Sequence, residues 1–249
     1  MLSGVRVIKV GGGEIEDVAW LDRFAAGVKQ ARPAVVVHGG GGLISDWQER
    51  LGLGVEMRDG IRVTTPQVAE LAQMVLCGPV RAAIVRALRS QGVDAVGVAG
   101  GDGYLSVALV DPEQLGRVGR VTGVSRSGLL RLLEAGFTPV LAPISLGPDG
   151  MAVNVNADDA AAAVASALDA EELLFVSDVP GVMRGAERLA AVAPADLDEL
   201  IAGGVVQGGM VAKLKAAVAA AGTPTRIGDV GMLTDPHRGT VITGVGAAA

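Results

Sequence analysis

Five short runs of nearly unbroken aliphatic residues constrain this chain more than anything else in it: Arg6–Val10, Ala34–Val37, Ala95–Val98, Thr138–Leu141 and Leu173–Val176. A strand with one face in water alternates apolar and polar residues, whereas a strand buried on both faces, as in a parallel sheet, reads as a continuous apolar run. Most of these runs end in a glycine or a small polar residue. Between them lie segments with apolar residues at helical spacing: Val18–Lys29, Pro66–Arg89, Ser127–Ala135, Asp158–Leu168 and Met210–Ala221, with a further helix expected near Leu43–Leu51. Gly136 and Gly222 read as helix stops. Strands alternating with helices predict an α/β fold, a three-layer αβα sandwich around a mainly parallel central sheet.

Two segments depart from that rhythm. Gly54–Thr65 and Val107–Val124 are polar, contain glycine and are weakly periodic. The second reads as a hairpin or lid outside the main sheet. Gly244–Ala249 is expected to fray. With no fixed-period repeat and no linker, residues 1–249 read as a single domain on one continuous sheet, with lobes 1–148 and 149–249 that change over near Leu146–Met151.

Composition narrows the function. Half the residues are apolar and 19% are charged, so enough apolar surface exists to offset the entropy of ordering, and disorder is excluded. Glycine makes up 37 of 249 residues, about twice the usual share, but without a Gly-X-Y period collagen is excluded. A net charge of −6 argues against a nucleic-acid partner, which calls for a basic patch, and 2% aromatics leave little for base stacking. The lone Cys77 cannot close an internal disulfide and reads as a buried cytosolic thiol. The residues from Met1 onward carry no apolar signal-peptide core. No uninterrupted apolar stretch reaches the roughly 18 residues of a membrane helix. The expectation is a cytoplasmic protein with small-molecule ligands, no nucleic acid and no membrane.

The chemistry-bearing segments cluster after strands, where open α/β sheets bind ligands. Lys9-Val10-Gly11-Gly12-Gly13 sets a lysine beside three glycines whose bare N–H groups can cradle an anion; the plainer alternative is a tight turn with an exposed lysine. His38-Gly39-Gly40-Gly41-Gly42 leads into a helix whose positive N-terminus would face the loop. His38 itself reads as a hydrogen-bonded structural histidine, and His237 is too far along the chain to suggest a metal pair. Neither loop fits the known phosphate signatures: no Gly-Lys pair exists for a P-loop, and G-x-G-x-x-G fails at Glu16 and at Ser45. Asn154-Val155-Asn156-Ala157-Asp158-Asp159 offers amides for a polar ligand; Asp158 either caps the following helix or orients lysines or a metal–phosphate complex. Ser177-Asp178-Val179-Pro180-Gly181-Val182 follows another strand. Gly208-Gly209-Met210-Val211-Ala212-Lys213 puts a second lysine on a glycine turn, in the first turn of a helix; a lone lysine there is otherwise a surface residue.

Taken in order, Lys9–Gly12, the His38–Gly41 loop, Gly60-Ile61-Arg62-Val63-Thr64, Asn154–Asp158, Ser177–Gly181 and Gly209–Lys213 resemble the amino acid kinase family, over roughly Val5 to Gly244. The Gly60–Thr64 segment and the His-Gly-Gly-Gly loop resemble most the branch that phosphorylates N-acetyl-L-glutamate. The resemblance implies the amino acid kinase fold and transfer of a phosphoryl group from ATP to the side-chain carboxylate of N-acetyl-L-glutamate, giving N-acetyl-L-glutamyl 5-phosphate in arginine biosynthesis. It implies that Lys9 and Lys213 neutralise phosphoryl oxygens, that Gly12 and Gly41 donate backbone N–H groups, and that Asp158 holds the lysines. Gly40, Gly41, Arg62 and Asn154 would bind acetylglutamate, with Arg62 on the carboxylate that is not phosphorylated. Lys9, Gly11, Gly12, Asp178, Val179, Pro180, Gly181, Val182, Met183, Val205, Val206 and Gln207 would border ATP.

Mg2+ would ride on the ATP phosphates, with no dedicated protein ligands. The lobe 1–148 would take acetylglutamate and the dimer contact, and 149–249 would take ATP. Gly13 and Gly208 depart from relatives, which often carry a larger and an acidic residue there. Only eight residues precede Lys9, whereas arginine-inhibited relatives resemble one another in an extra N-terminal helix, so the expectation is an arginine-insensitive homodimer. The rival within the family acts on glutamate or aminoadipate linked to an acidic carrier protein, but Asp46–Asp59 shows no basic excess. Uridylate, aspartate and carbamate kinases share the implied fold without the Gly60–Thr64 segment. A nucleotide-dependent oxidoreductase and a non-catalytic nucleotide sensor are the rivals from other classes.

Overall fold

Both faces of β1 (Arg6–Val10) are covered, which is why it reads as an apolar run: Ile8 and Val10 enter one core cluster and Val7 the other. The computed structural model describes residues 4–220 and 222–243. After β1, α1 (Val18–Gln30) begins at Asp17, whose carboxylate accepts the Trp20 N–H, as a helix N-cap should. It is followed by β2 (Ala34–His38) and α2 (Gly41–Arg50). The latter starts two residues earlier than expected, so Gly41 and Gly42 are helical. A short antiparallel pair, β3 (Met57–Arg58) and β4 (Ile61–Arg62), then leads into α3 (Pro66–Val75), capped by Thr65.

The expected helix Pro66–Arg89 is two helices. A wide π-type turn at Leu76–Val80 carries Gly78 out of helical geometry before α4 (Arg81–Ser90). Pro79 explains the break, since it lacks an N–H and disfavours helical geometry at the residue before it. Joined end to end, residues 66–90 are long and apolar enough to cross a bilayer, but Val68, Leu71, Ala72, Val75, Ile84 and Leu88 are buried in the protein's own core.

The chain continues through β5 (Ala95–Ala99), β6 (Leu105–Leu109), α5 (Pro112–Leu115), β7 (Val118–Val124), α6 (Arg126–Glu134), β8 (Thr138–Ala142), β9 (Ile144–Leu146) and β10 (Ala152–Val155). Next come α7 (Ala157–Leu168), β11 (Glu172–Val176), β12 (Met183–Arg184), β13 (Glu187–Arg188), β14 (Ala191–Val192), α8 (Leu197–Ala202), α9 (Gly209–Ala219), β15 (Thr225–Gly228) and β16 (Thr240–Ile242). The expected fraying of Gly244–Ala249 lies outside the described residues.

Eight strands form the main sheet in the order β14-β16-β15-β11-β1-β2-β8-β5. Every neighbouring pair is parallel except β15 with β16. This confirms the mainly parallel α/β sandwich and corrects the continuous sheet: β6, β7, β10 and β9 make a second, four-stranded sheet. Val107–Val124 does contain an antiparallel hairpin, β6 with β7, but it is built into that second sheet. In the main sheet Val10 stands level with both His38 and Val176. The loops leaving β1, β2 and β11 therefore emerge side by side, at the carboxyl edge where such sheets bind ligands.

Candidate active site

Strand alternation puts Lys9 on the Val7 side of the sheet, the side covered by α7 and α9. Its Nζ lies 2.7 Å from Asp158 Oδ1, with the two side chains only 6% and 9% exposed. Asp158 is free to make this contact because it is not the helix cap. The cap is Asn156, whose side-chain oxygen accepts the N–H groups of Asp158 (2.7 Å) and Asp159 (3.2 Å). The alternative reading of Asp158 as a cap is thereby overturned.

Lys213 sits in the second turn of α9, not the first. It is half-buried, and its ammonium folds back over the helix start, 3.7 Å from where a Cβ on Gly209 would lie. Burial pulls the Lys9 pKa below the usual lysine range; Asp158 opposes that pull and the nearby Lys213 charge reinforces it. The two lysines, far apart in the sequence, are therefore close enough for each charge to influence the other. Among the described residues no carboxylate lies within ion-pair distance of Lys213.

The two glycine loops meet backbone to backbone. A Cβ added to Gly12 would lie 2.6 Å from Gly40 Cα, closer than real Cβ atoms come, and one on Gly40 would lie 2.6 Å from Leu76 Cδ2. Gly39 N–H ties the loops by donating to Val10 O at 2.9 Å. Gly40 caps α2 without a side chain, so the first N–H groups of that helix have no intrahelical partner and present its positive end. His38 is fully buried; its Nδ1 lies 2.9 Å from Gly39 O, and burial first of all lowers its pKa to about 4. It is a neutral structural histidine, as expected.

Beside these loops is a cavity of about 290 Å3 lined by Gly40, Gly41, Arg62 and Asn154, the four residues expected to bind substrate. Arg62 is buried, which lowers its pKa. It donates to Gly41 O and Ser45 Oγ, both at 2.8 Å, and to Gln48 Oε1. Asn154 Nδ2 donates to Thr64 Oγ1 at 3.3 Å, and Thr64 Oγ1 donates to Arg62 O at 2.8 Å. Behind them Arg117 locks the wall, donating its own N–H to Thr64 O and its guanidinium to Ala152 O, Met151 O and the Asp149 carboxylate.

Sequence reasoning missed Ser45, Gln48 and Arg117, together with Arg120, which lines the cavity; Thr64 and Asp159, the latter also on the cavity wall, lay inside motifs it singled out but were given no role. Ser45 and Gln48 carried a usable signal, since they follow Gly41 by four and seven residues and so share its helix face. It also missed Glu14. That carboxylate folds back over the glycine turn, with Oε2 3.0 Å from where a Cβ on Gly11 would lie. This oxygen is buried without a hydrogen-bond partner, and its charge raises the Lys9 pKa.

The residues expected at the nucleotide divide into two groups. Asp178, Val179, Pro180 and Met183 lie on or close to the protein surface just beyond β11, next to the β1 loop by register, and Asp178 accepts the Ser177 hydroxyl at 3.0 Å. Gly181 packs against Thr240. Val182 and Val206 are 1% and 2% exposed and belong to the core with Leu214, so their side chains are not available to a ligand. The Val182 N–H is already given to Thr240 Oγ1 and the Val205 and Val206 N–H groups to Leu200 O. Gln207 is exposed, immediately before the α9 cap.

The amino acid kinase family profile matches residues 4–229. A protein from Chloroflexus aurantiacus named acetylglutamate kinase is 47% identical over 224 residues, covering 88% of each chain. One of the same name from Rubrobacter xylanophilus is 45% identical over 224 residues, covering 89% of this chain and 87% of that one. The crystal structure of smu.665 from Streptococcus mutans matches with a TM-score of 0.84 at 29% identity, covering 96% of this chain and 98% of that one.

Proposed function

The chain belongs to the amino acid kinase family, and within it we propose that the cavity beside Arg62 presents the side-chain carboxylate of N-acetyl-L-glutamate to ATP. The protein is an ATP-dependent acetylglutamate kinase of arginine biosynthesis. The observation that carries the site assignment is the buried Lys9–Asp158 pair beneath two abutting glycine loops, with the Lys213 charge close by. Phosphoryl transfer needs positioning and charge stabilisation more than covalent help from the protein.

A carboxylate oxygen of the substrate attacks the γ-phosphorus, the bond from that phosphorus to the bridging oxygen breaks, and the electron pair leaves on ADP. No proton moves, because the nucleophile is already ionised at neutral pH. This suits a site whose one nearby histidine is neutral and structural. Lys9 and Lys213 stabilise the charge spread over the transferring group, helped by the N–H groups of Gly12 and Gly41. Arg62 holds the remaining carboxylate, Asn154 the polar end of the substrate, and Ile44, Leu76 and Pro143 line the cavity against its apolar atoms. Asp178, Val179, Pro180, Met183 and Gln207 border the nucleotide.

Mg2+ would be held by the ATP phosphates, where it would spread their negative charge. At the glycine turn one carboxylate oxygen, on Glu14, lies buried without a hydrogen-bond partner. Residues 1–148 then supply most of the acetylglutamate site and the dimer contact and 149–249 most of the ATP site, with Lys9 and Gly12 reaching the phosphates from the first and Asn154 the substrate from the second. A cytoplasmic homodimer fits the same reading: β5 is an edge strand of the main sheet, flanked by exposed Leu146, and a second copy can cover such an edge.

The test is ADP release over a panel of free, acylated and carrier-linked acidic amino acids. Turnover with N-acetyl-L-glutamate is expected. Turnover confined to a carrier-linked substrate, or to none of the panel, overturns the assignment.

A further inference from the structure

Glu14 takes no part in the phosphoryl transfer itself, yet one oxygen of its half-buried carboxylate is held without a hydrogen bond. An ionised carboxylate with an oxygen buried and unpaired loses hydration without a compensating hydrogen bond. Its Oε2 is such an atom, placed on the backbone of the glycine turn. Its charge reaches Lys9, as the weakest of the influences there, and Lys213 reaches Lys9 in turn. The lysines do not neutralise Glu14 by contact, since the Lys9 ammonium is taken by Asp158.

The consequence depends on what arrives. Free ATP brings about four negative charges to a turn that already holds one. ATP complexed with a divalent cation brings about half as many, together with a hard cation that seeks carboxylate oxygens. We propose that Glu14 makes this site select cation-complexed ATP over free ATP. Glu14 is thus a specificity-determining residue beyond the lysines and glycines, and the inference rests on reading the Gly11–Gly13 turn as the phosphate cradle.

Calorimetric titration of ATP into the protein, without acyl substrate so that nothing turns over, tests this. Each protein is titrated once in excess MgCl2 and once in EDTA, and the ratio of the two Kd values is the readout. A unit charge acting over ~4–6 Å near a protein surface is worth tenfold or more in affinity. Glu14→Gln should therefore lower the wild-type ratio by about tenfold, mainly by tightening free ATP, and Glu14→Asp should retain part of the preference. A ratio unchanged within twofold in Glu14→Gln overturns the proposal.

The wild-type protein gives an independent measurement if the variants do not fold. Its cation preference should extend to ADP and vanish for adenosine, and equal affinity for both forms of ATP overturns the proposal outright. An unchanged ratio in an enzyme that still turns over N-acetyl-L-glutamate removes only the role of Glu14. A protein that binds neither form of ATP removes the kinase reading as well.

Discussion

Replacing Asp158 by asparagine keeps the shape of the side chain and removes only its charge, so it isolates what the buried pair does. At the observed 2.7 Å, two unit charges in an effective dielectric of roughly 20 attract by about 6 kcal/mol before desolvation is counted. Taking one partner from a buried pair costs about 3–5 kcal/mol. Burial and Lys213 both favour neutral Lys9, and Asp158 is the main opposing influence. Without it the Lys9 pKa falls further, so the protonated form is lost at a lower pH.

Three results follow from that sign. The activity of Asp158→Asn at neutral pH drops on the order of 100-fold, as when an electrostatic stabiliser is lost. The basic limb of its kcat profile moves to lower pH than in the wild type. Its stability in urea falls by about 3 kcal/mol, and removing both charges, in Lys9→Met/Asp158→Leu, restores part of that stability because no lone buried ion remains. Unfolding curves and ADP release from pH 6 to 10 measure all of this. Wild-type kcat with an unmoved basic limb would refute the claim that Asp158 keeps Lys9 charged.

Arg62→Lys keeps the charge but loses the fork that joins Gly41 O, Ser45 Oγ and Gln48; the KM for acetylglutamate should rise about tenfold, with kcat near wild type. A wild-type KM would show that charge alone suffices. Gly12→Ala puts a methyl 2.6 Å from Gly40 Cα, and backbone cannot yield as a flexible side chain does. The loops must part, so kcat should fall at least 100-fold in the same ADP assay while circular dichroism stays native. His38 carries a folded pKa of about 4 against 6.5 in the unfolded chain. Between those values the unfolded chain binds the extra proton, so stability is lost as pH falls from 6.5 to 4, by up to about 3 kcal/mol. His38→Asn should show a correspondingly flatter pH dependence of urea unfolding; parallel curves would mean that His38 is not held neutral.

What the sequence made legible was local. A strand buried on both faces betrays itself without reference to its neighbours, so β1, β2, β5, β8 and β11 could be read to within a residue or so. Lys9 with its glycines, Arg62 and Asn154 could be singled out by residue type and motif. What stayed hidden depended on residues far apart. β15 carries Arg226, which looks wrong for a buried strand until Glu172, on the adjacent β11, pairs with it across 54 positions. The break at Gly78 hid because apolar spacing continues through it, from Val75 and Leu76 to Val80 and Ile84. Val182 and Val206 were placed at the nucleotide by motif position, which fixes where a residue falls in the chain but not which way its side chain turns.

The junction from β10 into α7 shows why so few residues can serve two ligands. Asn154, near the end of the strand, lines the cavity and donates to Thr64. Two residues on, extended backbone at Asn156 (φ −61°, ψ 128°) turns its amide inward to cap the helix. The helix then rotates about 100° per residue, which sends Asp158 towards Lys9 and leaves Asp159 on the cavity wall. A carboxylate would cap as well as the amide at 156, but it would stand beside Asp158 and Asp159. Burial already raises the Asp159 pKa, and the Asp158 charge adds to it. A third acid there would add another negative charge beside Asp158 and Asp159, so the neutral cap at 156 and the Lys9 partner at 158 are parts of one electrostatic arrangement.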